Sequence, residues 1–143
     1  MRDEPVRDLV IDASVAVKFY FDETASDAAR DILTSGDGLI APDLLFIEMA
    51  SVAAKRVKGG LSTPAEAMLA VTAIRGQIDV VVPVGELADR AFELACEHGM
   101  SAYDGAYLAL AERRGAVVVT ADVRLVKRAA SVGLAHLVAP LTP

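Results

Sequence analysis

Tryptophan is absent from this sequence, cysteine occurs once, at Cys96, and aromatic residues fill only 5% of its 143 positions. One cysteine cannot close an intramolecular disulfide, so the fold does not depend on covalent staples, and secretion is not indicated. No apolar run approaches the roughly 20 residues that a membrane-spanning helix needs. No secretory leader is visible either: Met1 to Asp8 is charged, and the apolar run behind it is only Leu9-Val10-Ile11. A cytoplasmic protein without membrane attachment is the expectation. Positive charge is also scarce, with 14 Lys and Arg against 20 Asp and Glu for a net charge of −6. A module held on nucleic acid by bulk electrostatics is usually basic, so that simple class is disfavoured. An enzyme whose acids hold cations is not, because a bound metal reverses the local sign.

What the chain does have is aliphatic bulk. Hydrophobic residues make up 54% of the sequence, much of it Ala and Val. That is too apolar for disorder. At this length it is enough to build the core of one domain, residues 1–143. There is no internal repeat, low-complexity segment or break in composition. Short β-rich runs alternate instead with longer helical patterns.

Strands are expected at 9–12, 38–41, 79–83 and 116–120, with a short final one at 135–138. Helices are expected at 14–20, 25–33, 43–58, 64–75, 86–98, 102–114 and 122–132. Thr63-Pro64-Ala65-Glu66 is a capping box with Pro in the first helical position. Gly59-Gly60, Gly99, Gly115 and Gly133 punctuate helix ends. Alternation of strand and helix implies parallel pairing and an α/β sandwich. The strand runs are apolar throughout, as expected when both faces of a sheet are covered. Ligands in such sheets bind beyond the carboxyl ends of the strands. Asp12 ends the first strand, and Asp122 lies two residues past Thr120, which ends the fourth.

Two further acids occupy positions where core residues belong. Leu45, Glu48, Met49 and Val52 share one helical face, and so do Asp104, Tyr107, Leu108 and Ala111. Burying an ionised carboxylate without a partner costs several kcal/mol. The neighbouring cations Lys18, Lys55, Arg113 and Arg124 lie several residues away in the chain. Carboxylates gathered at one sheet edge would repel by about 4 kcal/mol per pair at about 4 Å and an effective dielectric near 20. Such a cluster must stay spread out, take up protons or bind a divalent cation. Hard carboxylate oxygens suit Mg²⁺ or Mn²⁺. Singly, each acid has a plainer reading: Asp12 as a strand end, Asp122 as an N-cap, Asp104 as a first-turn residue favoured by the helix dipole. Glu48, in mid-helix, caps nothing. Four such acids in one chain are not explained by these local roles together.

The segments that carry these acids are Val10-Ile11-Asp12-Ala13-Ser14, Pro42-Asp43-Leu44-Leu45-Phe46-Ile47-Glu48, Ser101-Ala102-Tyr103-Asp104-Gly105-Ala106-Tyr107 and Val119-Thr120-Ala121-Asp122-Val123-Arg124-Leu125. In this order and spacing they resemble the PIN-domain nucleases, in particular the VapC-type toxins of toxin–antitoxin pairs. The resemblance covers essentially the whole chain. It implies a three-layer α/β/α sandwich around a parallel five-stranded sheet, and an endoribonuclease dependent on Mg²⁺ or Mn²⁺. It casts Asp12, Glu48 and Asp104 as metal-site carboxylates and Asp122 as the fourth, most variable acid. Ser14 and Thr120 resemble the hydroxyl residues that orient the acids or a coordinated water. Hydrolysis would leave a 5′ phosphate and a 3′ hydroxyl. Lys18, Arg124 and Arg128 are candidates for gripping the RNA backbone, with solvated surface charge as the plain alternative. A homodimer and a small antitoxin lying over the active-site groove are implied as partners. One departure is Gly105, where relatives more often carry Ala; it is expected to loosen that helix turn while removing no ligand.

Other tempting residues receive structural readings. His98 and His136 lack metal spacing. Cys96 shares a helical face with Phe92 and is expected in the core. Packing is the expected role of Tyr103 and Tyr107, with hydrogen bonding to an acid or stacking on a base as the alternative. Lys55-Arg56-Val57-Lys58 suits a helix C-terminus as well as a phosphate. The helix after Pro64 is apolar around much of its circumference, so more than one face is expected to be covered. Among rival functions, a phosphoacceptor domain would want an acid ending the third strand and a Lys after the fifth. An Asp-nucleophile phosphatase would want an acid where Ser14 stands. A PIN nuclease of ribosomal RNA processing, or a non-catalytic PIN scaffold binding protein or RNA, keeps the fold and changes the role.

Overall fold

A computed structural model describes residues 7–143. The charged opening as far as Val6, where the absence of a leader is read, lies outside the described residues. Five strands, β1 (Asp8–Ile11), β2 (Gly38–Pro42), β3 (Val80–Val82), β4 (Val117–Thr120) and β5 (Val138–Pro140), form one sheet in the order β3-β2-β1-β4-β5. Every pairing is parallel. Among the described residues, seven α-helices connect them: α1 (Ala13–Tyr20), α2 (Ser26–Leu33), α3 (Leu44–Lys58), α4 (Pro64–Ala73), α5 (Ala88–His98), α6 (Ala102–Arg114) and α7 (Val123–Ser131).

Successive strand residues point to opposite faces, and the core divides accordingly. Leu9, Ile11, Leu39 and Ala41 pack with Val15 and Phe19 of α1, Ala29 of α2, Leu45 and Met49 of α3 and Ala70 of α4. Val10, Ile40 and Val118 pack on the other side with Leu94 of α5, Leu108 and Leu110 of α6 and Leu125 of α7. Each central strand feeds both cores, and the result is a three-layer sandwich. Strand order reverses around β1, whose neighbours are β2 and β4. The crevice at the carboxyl ends of β1 and β4 is therefore the topological switch point, where such sheets bind ligands.

Several expected boundaries move for identifiable reasons. β1 stops at Ile11 because Asp12 turns to cap α1. α5 starts at Ala88, behind a 3₁₀ turn over Val84–Leu87, two residues later than expected. The last strand is displaced. Residues 135–137 form a 3₁₀ turn that buries Leu137, and β5 begins at Val138. Pairing then runs from Val118 with Val138 to Thr120 with Pro140. A proline is tolerated there because β5 is an edge strand and needs no donor on its open side.

Two side-chain expectations are corrected. Cys96 is exposed and Phe92 is 66% exposed. α5 buries the face of Ala91 and Leu94 instead, and residues 92 and 96 fall outside that stripe. Gly105 does not loosen α6. A Cβ at this position would stand 2.8 Å from the carbonyl oxygen of Ala91, so glycine is what lets α6 lie directly against α5.

Candidate active site

Asp12 is the N-cap of α1 and is 7% exposed. Its Oδ1 accepts from the backbone N–H of Val15 at 3.2 Å and from the Ser14 hydroxyl at 2.6 Å. With its single proton committed to Asp12, Ser14 Oγ acts as acceptor for the N–H of Ala121 at 2.9 Å and for the Thr120 hydroxyl, 3.2 Å away. Thr120 Oγ1 in turn accepts from the N–H of Asp122 at 3.0 Å. This chain of hydroxyls ties the end of β1 to the end of β4 across the switch point.

Asp122 caps α7, accepting from the N–H groups of Arg124 at 2.9 Å and Leu125 at 3.4 Å. Asp104 sits in the first turn of α6, its N–H donated to the N-cap Ser101 at 3.1 Å. Glu48 projects from the second turn of α3. Tyr107, one turn beyond Asp104 on α6, donates its phenol to Glu48 Oε1 at 2.5 Å. Glu48, Asp104 and Asp122 line one cleft of about 530 Å³ together with Tyr103, Arg124 and Arg128. Asp12 is buried beside it, within electrostatic reach of Asp122.

Burial and mutual repulsion govern the protonation of this group. Burial pushes the Asp12 carboxyl from 3.8 up to about 6, against the pull of Ser14, Thr120 and the Val15 N–H, and the charge of Asp122 adds to the rise. Burial also raises Glu48, with Asp104 adding and the Tyr107 hydrogen bond opposing. Asp104 is raised by burial and then by Asp122, while Arg124 and Arg128 offset part of this. The Tyr107 phenol is pushed far above its ordinary value, first by burial and then by Glu48, and it stays a donor at any working pH. Among the described residues no Lys or Arg forms an ion pair with Asp12, Glu48 or Asp104, and Asp122 meets only the exposed Arg124 at 3.6 Å.

The donor chemistry fits a hard divalent cation: carboxylate oxygens only, partly desolvated, and short of positive charge. As positioned, no three acidic, histidine or cysteine side chains among the described residues converge closely enough to hold an ion directly. Mg²⁺ keeps several of its waters, so such a spread set can hold it partly through water.

The structure thus brings Asp12, Ser14, Glu48, Asp104, Thr120 and Asp122 together, with Arg124 and Arg128 on the cleft wall. Arg128 also donates to the His98 carbonyl at 3.3 Å. Lys18 goes elsewhere. It pairs with Glu23 at 3.4 Å and donates to the Thr24 carbonyl at 2.8 Å. Arg56, from the basic run, joins the same network, 2.7 Å from Glu23 and stacked over the Phe21 ring at 4.2 Å. Neither His98 nor His136 is part of the cleft lining. The residue whose role sequence reasoning underestimated is Tyr107, and the available signal was its place one turn from Asp104 on the same helical face.

This chain is 32% identical to Ribonuclease VapC3 of Pyrobaculum aerophilum over 122 residues, 84% of this chain and 93% of that protein. Its fold is similar to the crystal structure of PAE2754 from Pyrobaculum aerophilum, with a TM-score of 0.64 at 26% identity, covering 86% of this chain and 79% of that one. It is also similar in fold to VapC20 of Mycobacterium tuberculosis, a sarcin-ricin loop cleaving toxin, with a TM-score of 0.66 at 18% identity, covering 83% and 93% of the two chains. The PIN domain profile matches residues 9–131, and the chain belongs to the PIN domain family.

Proposed function

We propose that this protein is a metal-dependent endoribonuclease, the toxin of a VapBC-type toxin–antitoxin pair, acting in the cytoplasm as a single nuclease domain. The observation that carries the reading is the gathering of four carboxylates, from four separate stretches of chain, at the switch point of the sheet without matching basic partners. Asp12 and Asp104 are the principal ligands of Mg²⁺ or Mn²⁺, with Glu48 and Asp122 sharing its hold through water. When bound, the ion neutralises the cluster, activates water and offsets charge on the scissile phosphate.

The chain's own groups do the positioning. Ser14 and the Val15 N–H orient Asp12. Tyr107 fixes Glu48 by its Oε1, which leaves Oε2 free to take a proton from the attacking water. Arg124 and Arg128 face the RNA backbone from the cleft wall. Products carry a 5′ phosphate and a 3′ hydroxyl. A homodimer and a small antitoxin complete the proposal. Their support is the unpaired apolar surface of α4, where Met68 and Leu69 are 61% and 70% exposed.

Sequencing the ends of cellular RNA after induction tests this reading, with wild type beside Asp12→Asn. New 5′-phosphate ends at defined positions with wild type alone are expected. Identical end profiles for the two proteins would overturn it.

A further inference from the structure

Tyr103 stands on a wall shared by two cavities of opposite character. On one side is the acidic cleft. On the other is an apolar notch of about 200 Å³ formed with Leu44, Val84, Ala88, Ala91 and Ala106. Tyr103 is 65% exposed, whereas Tyr107, Leu108 and Leu110 of the same helix are buried. Packing within the chain therefore does not account for an aromatic here.

The notch is built to stay open. Its alanines come from α5 and α6, and the Gly105–Ala91 approach holds those helices together at backbone distance. Arg90 of α5 also clamps Glu112 of α6 at 2.8 and 3.1 Å. No charged side chain lines the notch, so it has nothing to offer a phosphate. It presents an aromatic face and aliphatic walls, which suit the flat face of an unpaired base.

Resting on the ribonuclease reading above, the geometry points to a base subsite. Tyr103 and the apolar notch hold one unstacked nucleobase beside the scissile phosphate, and Tyr103 is a specificity-determining residue. A phosphate in the acidic cleft and a neighbouring base in the notch would lie on the two sides of one ring. This gives the enzyme a way to select single-stranded over paired RNA.

The test uses the purified full chain with Mn²⁺ and a short RNA spanning an end mapped by sequencing of cellular RNA after induction. Tyr103→Ala is expected to lower kcat/KM by about 10- to 100-fold, chiefly through KM, in line with the usual worth of base–aromatic stacking. Tyr103→Phe, which keeps the ring, should lose less kcat/KM than Tyr103→Ala, and Ala88→Leu, which fills the notch, should resemble Tyr103→Ala. An RNA made abasic at one position flanking the scissile bond should lose a similar factor with wild type and little more with Tyr103→Ala. Unchanged kcat/KM in Tyr103→Ala with wild type active, or losses from variant and abasic site that simply multiply, would overturn the subsite and leave the nuclease reading standing. No cleavage by wild type, or equal cleavage by Asp12→Asn, would overturn both.

Discussion

The phenol of Tyr107 and the carboxylate of Glu48 meet at 2.5 Å, joining helices α6 and α3, which pack on opposite faces of the sheet. Among the described residues the phenol is the one side-chain donor to the half-buried glutamate, which it holds over the cleft. Tyr107→Phe keeps the ring in the core and removes only that donor. Supporting groups of this kind are worth about 10–100-fold in metal affinity or activity. The expected result is a loss of that order in RNA cleavage, a higher Mn²⁺ requirement and an acid limb of the rate profile moved to higher pH. The upward move follows because the lost hydrogen bond had favoured ionised Glu48. Cleavage rates across pH and Mn²⁺ concentration, compared with wild type, check all three.

Asp12 makes the metal-free protein sensitive to pH in a defined direction. Its carboxyl titrates near 3.8 when unfolded and near 6 in the fold, so the native state holds the proton more tightly. Stability from this group is complete below the lower value and is lost as pH rises through the higher one, by about 3 kcal/mol. Asp37 and Glu112 are shifted downward and act oppositely, so the informative quantity is the difference between wild type and Asp12→Asn. Urea denaturation in EDTA should show wild type losing ground to the variant between about pH 4 and 6. Mn²⁺ at neutral pH should restore wild type and not the variant.

Removing one carboxylate charge should separate catalysis from folding. Asp104→Asn is expected to keep the circular dichroism spectrum of wild type and to melt no lower in EDTA, because it relieves repulsion from Asp122. Its RNA cleavage should fall at least about 100-fold, beyond the loss typical of a supporting group. Full activity in this variant would remove Asp104 from the site.

Gly105 offers a test of packing without touching the acids. Adding a methyl brings it within 2.8 Å of the Ala91 carbonyl. Overpacking of this kind costs about 1–3 kcal/mol, against about 1 kcal/mol gained in helix propensity. Gly105→Ala should therefore melt a few degrees below wild type. A higher melting temperature would mean that α5 and α6 part easily.

Much of this was legible in the chain itself. The alternation of strands and helices, their caps and the apolar strand runs follow from local patterns, and these led to a parallel sandwich. Glu48 was detectable because an acid interrupts an apolar helical stripe, and Asp12 and Asp122 because they stand just past strand ends. Their plainer role as N-caps also holds in the fold. The errors have a common origin. Whether residues 135–138 pair, and which face of α5 is buried, depends on neighbours supplied by distant segments. Periodicity over a few turns is compatible with either outcome.

Capping and 3.6-residue periodicity act between neighbours in the chain, so residue order alone set most of the strands and helices and the acids at their ends. That Tyr107 answers Glu48, that Arg56 reaches Glu23, and that Tyr103 divides an acidic cleft from an apolar notch follows from the packing of the whole fold. These relationships join residues far apart along the chain. They depend on where the sheet order and helix packing aim each side chain in space, and no local pattern encodes that.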